Sequence, residues 1–394
     1  MSTSNYNLVL PQSVEPAGGW TPNSRIVFEM DHQGHQIRAG TVRFNGVLQL
    51  FKGNTPIVRT DFVSLNPNAG INGMILQTSV RFGASSVETI NQYGRFCAME
   101  NEAKYYQMEH GTQTNAMLEL MAYSNNGDVS LADTKCRIAS GLLFPINGGN
   151  PSEIPFSVDL NCCVNKSEVS LPYSRTGKIT IELLLQSAND CGIISNINPS
   201  VETFTYKLRN LEMRYMTDLE EKAEGAIILQ CVHLSHTPSI INKLNSLSFS
   251  PPSSFDSVVC SLINITHSGT ANNSFTHDTL ASEALIEQIQ YLEFKVNGQD
   301  DTLTFPLQKQ TSEILYNALL AFNPMMRAYD TTSIQQHGLT YNKLNQTVKT
   351  GYMLGCRFHG GVDAGSKVAM NIALASPPAN PYTVYIYTIG RLII

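Results

Sequence analysis

Two stretches half a chain apart carry nearly the same pattern: "GKITIELLLQSA", Gly177 to Ala188, and "GSKVAMNIALAS", Gly365 to Ser376. Each sets a small residue and Lys before an alternating apolar run, then closes on Leu and small residues. Alternation of period two places successive side chains on opposite faces, the geometry of a half-buried strand. Each is followed by a Tyr-rich strand pattern, "FTYKL" in the first half and "YTVYIY" in the second. A strand pair used twice predicts a β unit duplicated within one chain. Its 394 residues suit two domains, each able to bury its own core.

The remaining patterns agree. "SRIVFEMD", "HQIRAGTVRFNGVLQLF", "INGMILQTSVRF", "RIASGLLFPI" and "IPFSVDLNCCV" read as strands of the first half. In "ETFTYKLRNLEMRYM" the apolar phase flips between Leu208 and Leu211, which predicts a bulge or a corner. "GAIILQCVHLSH", "DSVVCSLINITH", "IEQIQYLEFKVNG" and "DTLTFPLQ" are strands of the second half, with "NGQDD" as a hairpin turn. Helices are expected at about 86–109 and at 311–322, where Ile314, Leu315, Ala318, Leu319 and Phe322 share a face and Pro324 stops the run. Many short alternating strands with few helices predict an all-β chain of two tandem antiparallel sandwiches. The expected divisions are an N-terminal arm over 1–21, a first sandwich over 22–217, a charged linker over 218–225 and a second sandwich over 226–394. Trp20, the only tryptophan, ends the arm and is expected against a neighbouring surface. The apolar segment Tyr382–Ile394 is expected as an integral strand, since an exposed one would invite aggregation.

Composition narrows the function. A net charge of −6 without a Lys/Arg block longer than a dipeptide argues against direct nucleic-acid binding. Charged residues make up 15% of the chain against a usual share of about 25%, which suits a surface largely covered by neighbours. The N-terminal segment lacks the charged and apolar regions of a signal peptide, and no run approaches the roughly 18 apolar residues of a membrane helix. A soluble protein made in the cytoplasm is expected, with its eight cysteines (Cys97, Cys136, Cys162, Cys163, Cys191, Cys231, Cys260 and Cys356) as reduced, buried thiols. Cys162 and Cys163 lie in a strand-like run and should face opposite sides.

Reactive constellations are missing. His32 and His35 flank a Gly turn, and Cys231 with His233 would share a strand face near His236, but no second cluster completes a metal set. The H-x-H pair that holds a metal in cupin barrels does not occur, nor does a P-loop, G-x-S-x-G, H-E-x-x-H or G-x-G-x-x-G. "HGG" at 359–361 reads as a glycine turn, and the carboxylates of "DLEEKAEG" sit in a charged linker, a poor place for a general acid. No catalytic, cofactor-binding or metal residue is expected, and no enzyme.

"IPFSVDLNCCVNKSEVSLPYSRTGKITIELLLQSA", followed by "FTYKLRNLEMRYM", resembles the end of the first barrel in double jelly-roll major capsid proteins of icosahedral double-stranded DNA viruses. The polinton-like, virophage and giant-virus members are most similar. The likeness is carried by an apolar strand, an "LP-S-TG" loop, a long strand and a "Y-L-NLEM-Y" strand, over about 155–217. It implies two tandem jelly rolls with short helical insertions, in a protein of the virion made in the host cytoplasm. It implies a homotrimer whose six lobes form a pseudo-hexamer beside neighbouring capsomers, with penton and minor or cement proteins, and an internal membrane or other proteins beneath the shell. A tandem β-sandwich attachment protein and a minor vertex component are the alternatives.

Overall fold

A computed structural model describes residues 4–57, 63–65, 69–97, 153–191, 193–195, 204–220, 225–236, 239–252, 257–267, 289–300, 353–363, 365–379 and 381–394. The chain divides into two compact units, the first carrying the described residues through Leu229 and the second those from Gln230 to Ile393.

The first unit begins with β1 (Asn5–Val9), β2 (Arg25–Met30), β3 (His35–Ile37), β4 (Arg43–Lys52), β5 (Thr55–Pro56) and β6 (Val63–Leu65). It continues with β7 (Ile75–Phe82), β8 (Ser85–Asn91), β9 (Glu153–Asp159), β10 (Leu171–Pro172), β11 (Ile179–Leu185), β12 (Ile193–Ser195) and β13 (Phe204–Leu219). Short helical turns occupy Cys163–Lys166 and Tyr173–Thr176. One sheet runs β1-β13-β4-β9 and the other β2-β11-β7-β8, antiparallel throughout. Alternation aims Ile179, Ile181, Leu183 and Leu185 of β11 and Phe44, Leu48 and Leu50 of β4 into the core, all fully buried. Phe28 of β2 meets Phe44 of β4 edge-on at 6.2 Å across it. Tyr206 of β13 donates its hydroxyl hydrogen to the Gln186 carbonyl at 2.6 Å, tying the sheets at one end.

The second unit takes up from β14 (Ile228–His236), with β15 (Ser239–Ile240), β16 (Leu244–Phe249), β17 (Ser257–His267) and β18 (Ile289–Val296). It ends in β19 (Gln299–Asp300), β20 (Met353–Asp363), β21 (Val368–Leu374) and β22 (Tyr382–Ile393). Its sheets run β14-β22-β17-β20 and β16-β21-β18-β19. Setting aside the short β3, β5, β6, β10, β12 and β15, and keeping the two-residue β19 because it pairs with β18, eight strands remain among the described residues of each unit. In both, the first, eighth, third and sixth form one sheet and the second, seventh, fourth and fifth the other. That order is a jelly roll.

The duplicated sequence pattern therefore has a structural basis. Lys178 and Lys367 precede β11 and β21, the seventh strands of their units, and the Tyr-rich patterns are the eighth strands β13 and β22. The predicted bulge is present: pairing of β13 with β4 slips between Arg209 and Glu212, and Asn210 adopts φ 51°. "NG" turns the β18–β19 hairpin with both residues left-handed, Asn297 at φ 52° and Gly298 at φ 81°, as a type I′ turn requires. β22 pairs with β17 from Tyr382 to Arg391, so the terminal segment is an integral strand.

Other expectations need correction. The segment expected as an N-terminal arm over 1–21 supplies β1, the first strand of the first jelly roll, because its alternating "NYNLV" pairs with Met213–Thr217 of β13. Trp20 is not kept for a neighbour: it is buried within the same unit, and its backbone exchanges hydrogen bonds with Leu208 of β13 at 2.7 and 2.9 Å. The expected helix at about 86–109 is strand through Asn91, where β8 pairs with β7, and helical over 93–97; its remainder lies outside the described residues. Strand β9 stops at Asp159, so Cys162 and Cys163 are not opposed on a strand; both are buried where the chain enters a helical turn. The "HGG" at 359–361 lies inside β20 as strand, not turn. "RIASGLLFPI", "DTLTFPLQ" and the helix at 311–322 fall outside the described residues.

Candidate assembly surface

The histidines singled out by sequence lie in different settings. His32 and His35 face each other across the Gly34 turn with ring centroids 6.2 Å apart. His32 also packs near Tyr173 at 6.2 Å and Tyr215 at 6.0 Å, so it belongs to an aromatic cluster at one end of the first unit. Burial raises the pKa of both phenols, keeping them neutral. In the second unit Cys231 is buried on β14, His233 is partly exposed, and the His233 carbonyl accepts a hydrogen bond from the Thr388 hydroxyl at 3.3 Å. The side chain of His236 lies outside the described residues.

Cys97, Cys162, Cys163, Cys191 and Cys231 are buried thiols. Burial, reinforced by the charge of Glu88, pushes the Cys162 thiol up to about 12. A thiol held protonated is a poor nucleophile. The Cys163 backbone N–H donates to Glu88 at 2.7 Å, and the Asn161 N–H donates to the Tyr93 hydroxyl at 2.7 Å. These polar contacts fix the loop after β9 from within, where apolar patterning gives no sign of them.

The outward faces are polar. Arg25 and Lys178 pair with Glu182 and Glu29 at 2.5 and 2.7 Å over β2 and β11, and Arg43 pairs with Asp159 at 2.8 Å over β4 and β9. Such exposed pairs add at most about 1 kcal/mol each, but they guard sheet margins against stray pairing. Among the described residues, β2 and β9 each end a sheet of the first unit, and both are guarded: β2 by Arg25 and Glu29, β9 by Glu153, Pro155 and Asp159. β1 also ends a sheet and has no such guard. Its run from Ser4 to Val14 contains no charge, and Tyr6, Leu8 and Leu10 stand 63%, 49% and 63% exposed. Sequence patterning missed this surface because a short polar segment with Pro and Gly reads as an arm until its partner strand is known.

Two jelly rolls in one chain define the class of fold, the double jelly roll. Major capsid proteins share it. The Faustovirus major capsid protein superposes with a TM-score of 0.61 at 9% identity, covering 100% of this chain and 90% of that one. A chain of the Sputnik virophage gives 0.55 at 9% identity over 99% and 85% of the two chains. The mavirus major capsid protein gives 0.50 at 10% identity over 98% and 86%. No protein-family model matches the sequence, and no curated protein matches it.

Proposed function

We propose that this chain is a major capsid protein, assembling as pseudo-hexameric homotrimers that tile the icosahedral shell of a double-stranded DNA virus. The observation that carries the reading is the identical strand order of its two units, together with a likeness to capsid proteins that spans the chain. Two similar lobes per chain, repeated about a threefold axis, give six lobes and a nearly hexagonal footprint that fills a flat facet. In this reading the first jelly roll runs from β1 to Leu219, the second begins with β14, and the charged 218–225 stretch joins them.

The role is structural. In this reading the chain carries out no catalysis and holds no metal or cofactor, in keeping with buried thiols, of which Cys162 is held protonated. Its partners are its own copies, adjacent capsomers, and penton and minor proteins, with a membrane or other proteins rather than DNA against the inner face; its place is the virion. The test is the mass of the purified full-length protein by light scattering, followed by electron microscopy. Three times the 43.4 kDa chain and a hexagonal outline are expected. A monomer that stays monomeric at high concentration and forms no lattice would sink the reading.

A further inference from the structure

At strand β1, among the described residues, exposed apolar side chains and an unpaired backbone edge coincide. Among the described residues it pairs with β13 alone, through Asn5–Val9 against Met213–Thr217. Tyr6 and Leu8 alternate onto one side of it, and Leu10 and Val14 beyond it are 63% and 91% exposed. The first charged residue in the chain is Glu15. An edge strand of this kind pairs with another chain unless charge, Pro or a bulge prevents it.

We propose that β1 is an intermolecular seam, and that its occupant is a second copy of this chain. Charge argues for a copy. Each chain carries −6, so two copies repel wherever their acidic surfaces meet, and the uncharged run from Ser4 to Val14 is where they approach without that cost. Size argues for a ring rather than a face-to-face pair. Two exposed apolar side chains on a five-residue strand, with Leu10 just beyond it, fall far short of the roughly 1,200–2,000 Å² that a stable isolated interface buries, so the contact needs others to close with it. In a closed ring of two-unit chains every seam is heterologous: the first unit of one copy meets the second unit of the next. The β1 strip then lies in each of the three seams. This inference rests on the shell-forming reading and adds to it the surface by which copies join.

Hydrogen–deuterium exchange on the full-length protein tests it, comparing assembled protein with the same protein diluted until it dissociates. Amides of residues 5–9 are expected to exchange roughly tenfold or more slowly in the assembled state. The variant Leu8→Glu/Leu10→Glu, which keeps the hydrogen bond between Tyr6 and Arg214 and sets a carboxylate across the strand pair from Arg214, is expected to keep its thermal unfolding and to run as a monomer. Equal exchange of residues 5–9 in both states overturns the proposal even if the charged variant misfolds, and so does a charged variant that keeps the wild-type mass. Either result leaves the capsid reading intact, because the wild-type protein still assembles. A wild-type protein that never assembles overturns both.

Discussion

Single residues fix where the sheets bend and how they respond to acid. Gly46 sits on β4 opposite the β13 bulge, where a Cβ would stand 2.5 Å from Leu211 Cδ2, 2.9 Å from Phe156 Cζ and 3.1 Å from the Arg209 carbonyl oxygen. Leu211 and Phe156 are buried side chains and the third neighbour is backbone, so a methyl group here must push packed atoms aside. Gly46→Ala is expected to destabilise the first unit by about 1–3 kcal/mol, read as a fall in the urea midpoint. In the second unit, burial works to raise the Glu293 carboxyl, but hydrogen bonds from Tyr291, Asn371 and Lys295 outweigh it and hold the group below the usual carboxylate range. Asn371 Nδ2 donates to it at 2.9 Å and Lys295 Nζ stands 3.3 Å away. A depressed carboxyl contributes stability that is full above its unfolded value and is lost as pH falls through its folded value. Urea midpoints should therefore drop in mild acid, and Glu293→Gln should flatten that drop. An unchanged acid dependence in the variant would assign the effect to other carboxylates.

At the scale of elements, the eighth strand closes each jelly roll. β22 lies between β14 and β17, and Val384, Ile386, Tyr387 and Ile389 are fully buried on it. Burying each such side chain is worth roughly 1.5–3 kcal/mol, and a domain's net stability is about 5–15 kcal/mol. Truncation before Pro381 should therefore abolish soluble assembled protein, as gel filtration would record. A truncated chain that folds and assembles normally would refute the topology. Both closing strands and both seventh strands were legible in the sequence, because alternation on a half-buried strand survives substitution of the particular residues. The β13 bulge was legible for the same reason: one extra residue inverts the phase between Leu208 and Leu211, and nothing else local does so. The register of β1 was not. Pairing Asn5 with Thr217 depends on a partner more than half the chain away, and a polar, Pro-bearing segment such as 1–21 reads as an arm when seen alone. Trp20 misled likewise, since its burial comes from the bridge to Leu208. The candidate surface was hidden because exposure of Tyr6 and Leu8 is a property of the finished sheet.

For the whole molecule, duplication without identity sets the symmetry. The two units share strand order, yet β5 and β6 follow the third strand only in the first unit's described residues, and β13 has 16 residues where β22 has 12. Six lobes of two kinds should give averaged particle images with threefold order and alternating lobes; strict sixfold averages, or lobes numbering other than six, would contradict the assembly. The junction of β1 with β13 has a further consequence, in time rather than space. Loop-closure entropy makes such distant pairing slow, and during synthesis β1 emerges long before its partner exists. At about 5–20 residues per second, β1 waits on the order of ten to forty seconds for β13. For that interval the uncharged strip has no strand on either side. The segment proposed to join finished copies is thus the one a crowded ribosome can least leave unattended, and chaperone capture of β1 before β13 is made follows from the order of the two strands.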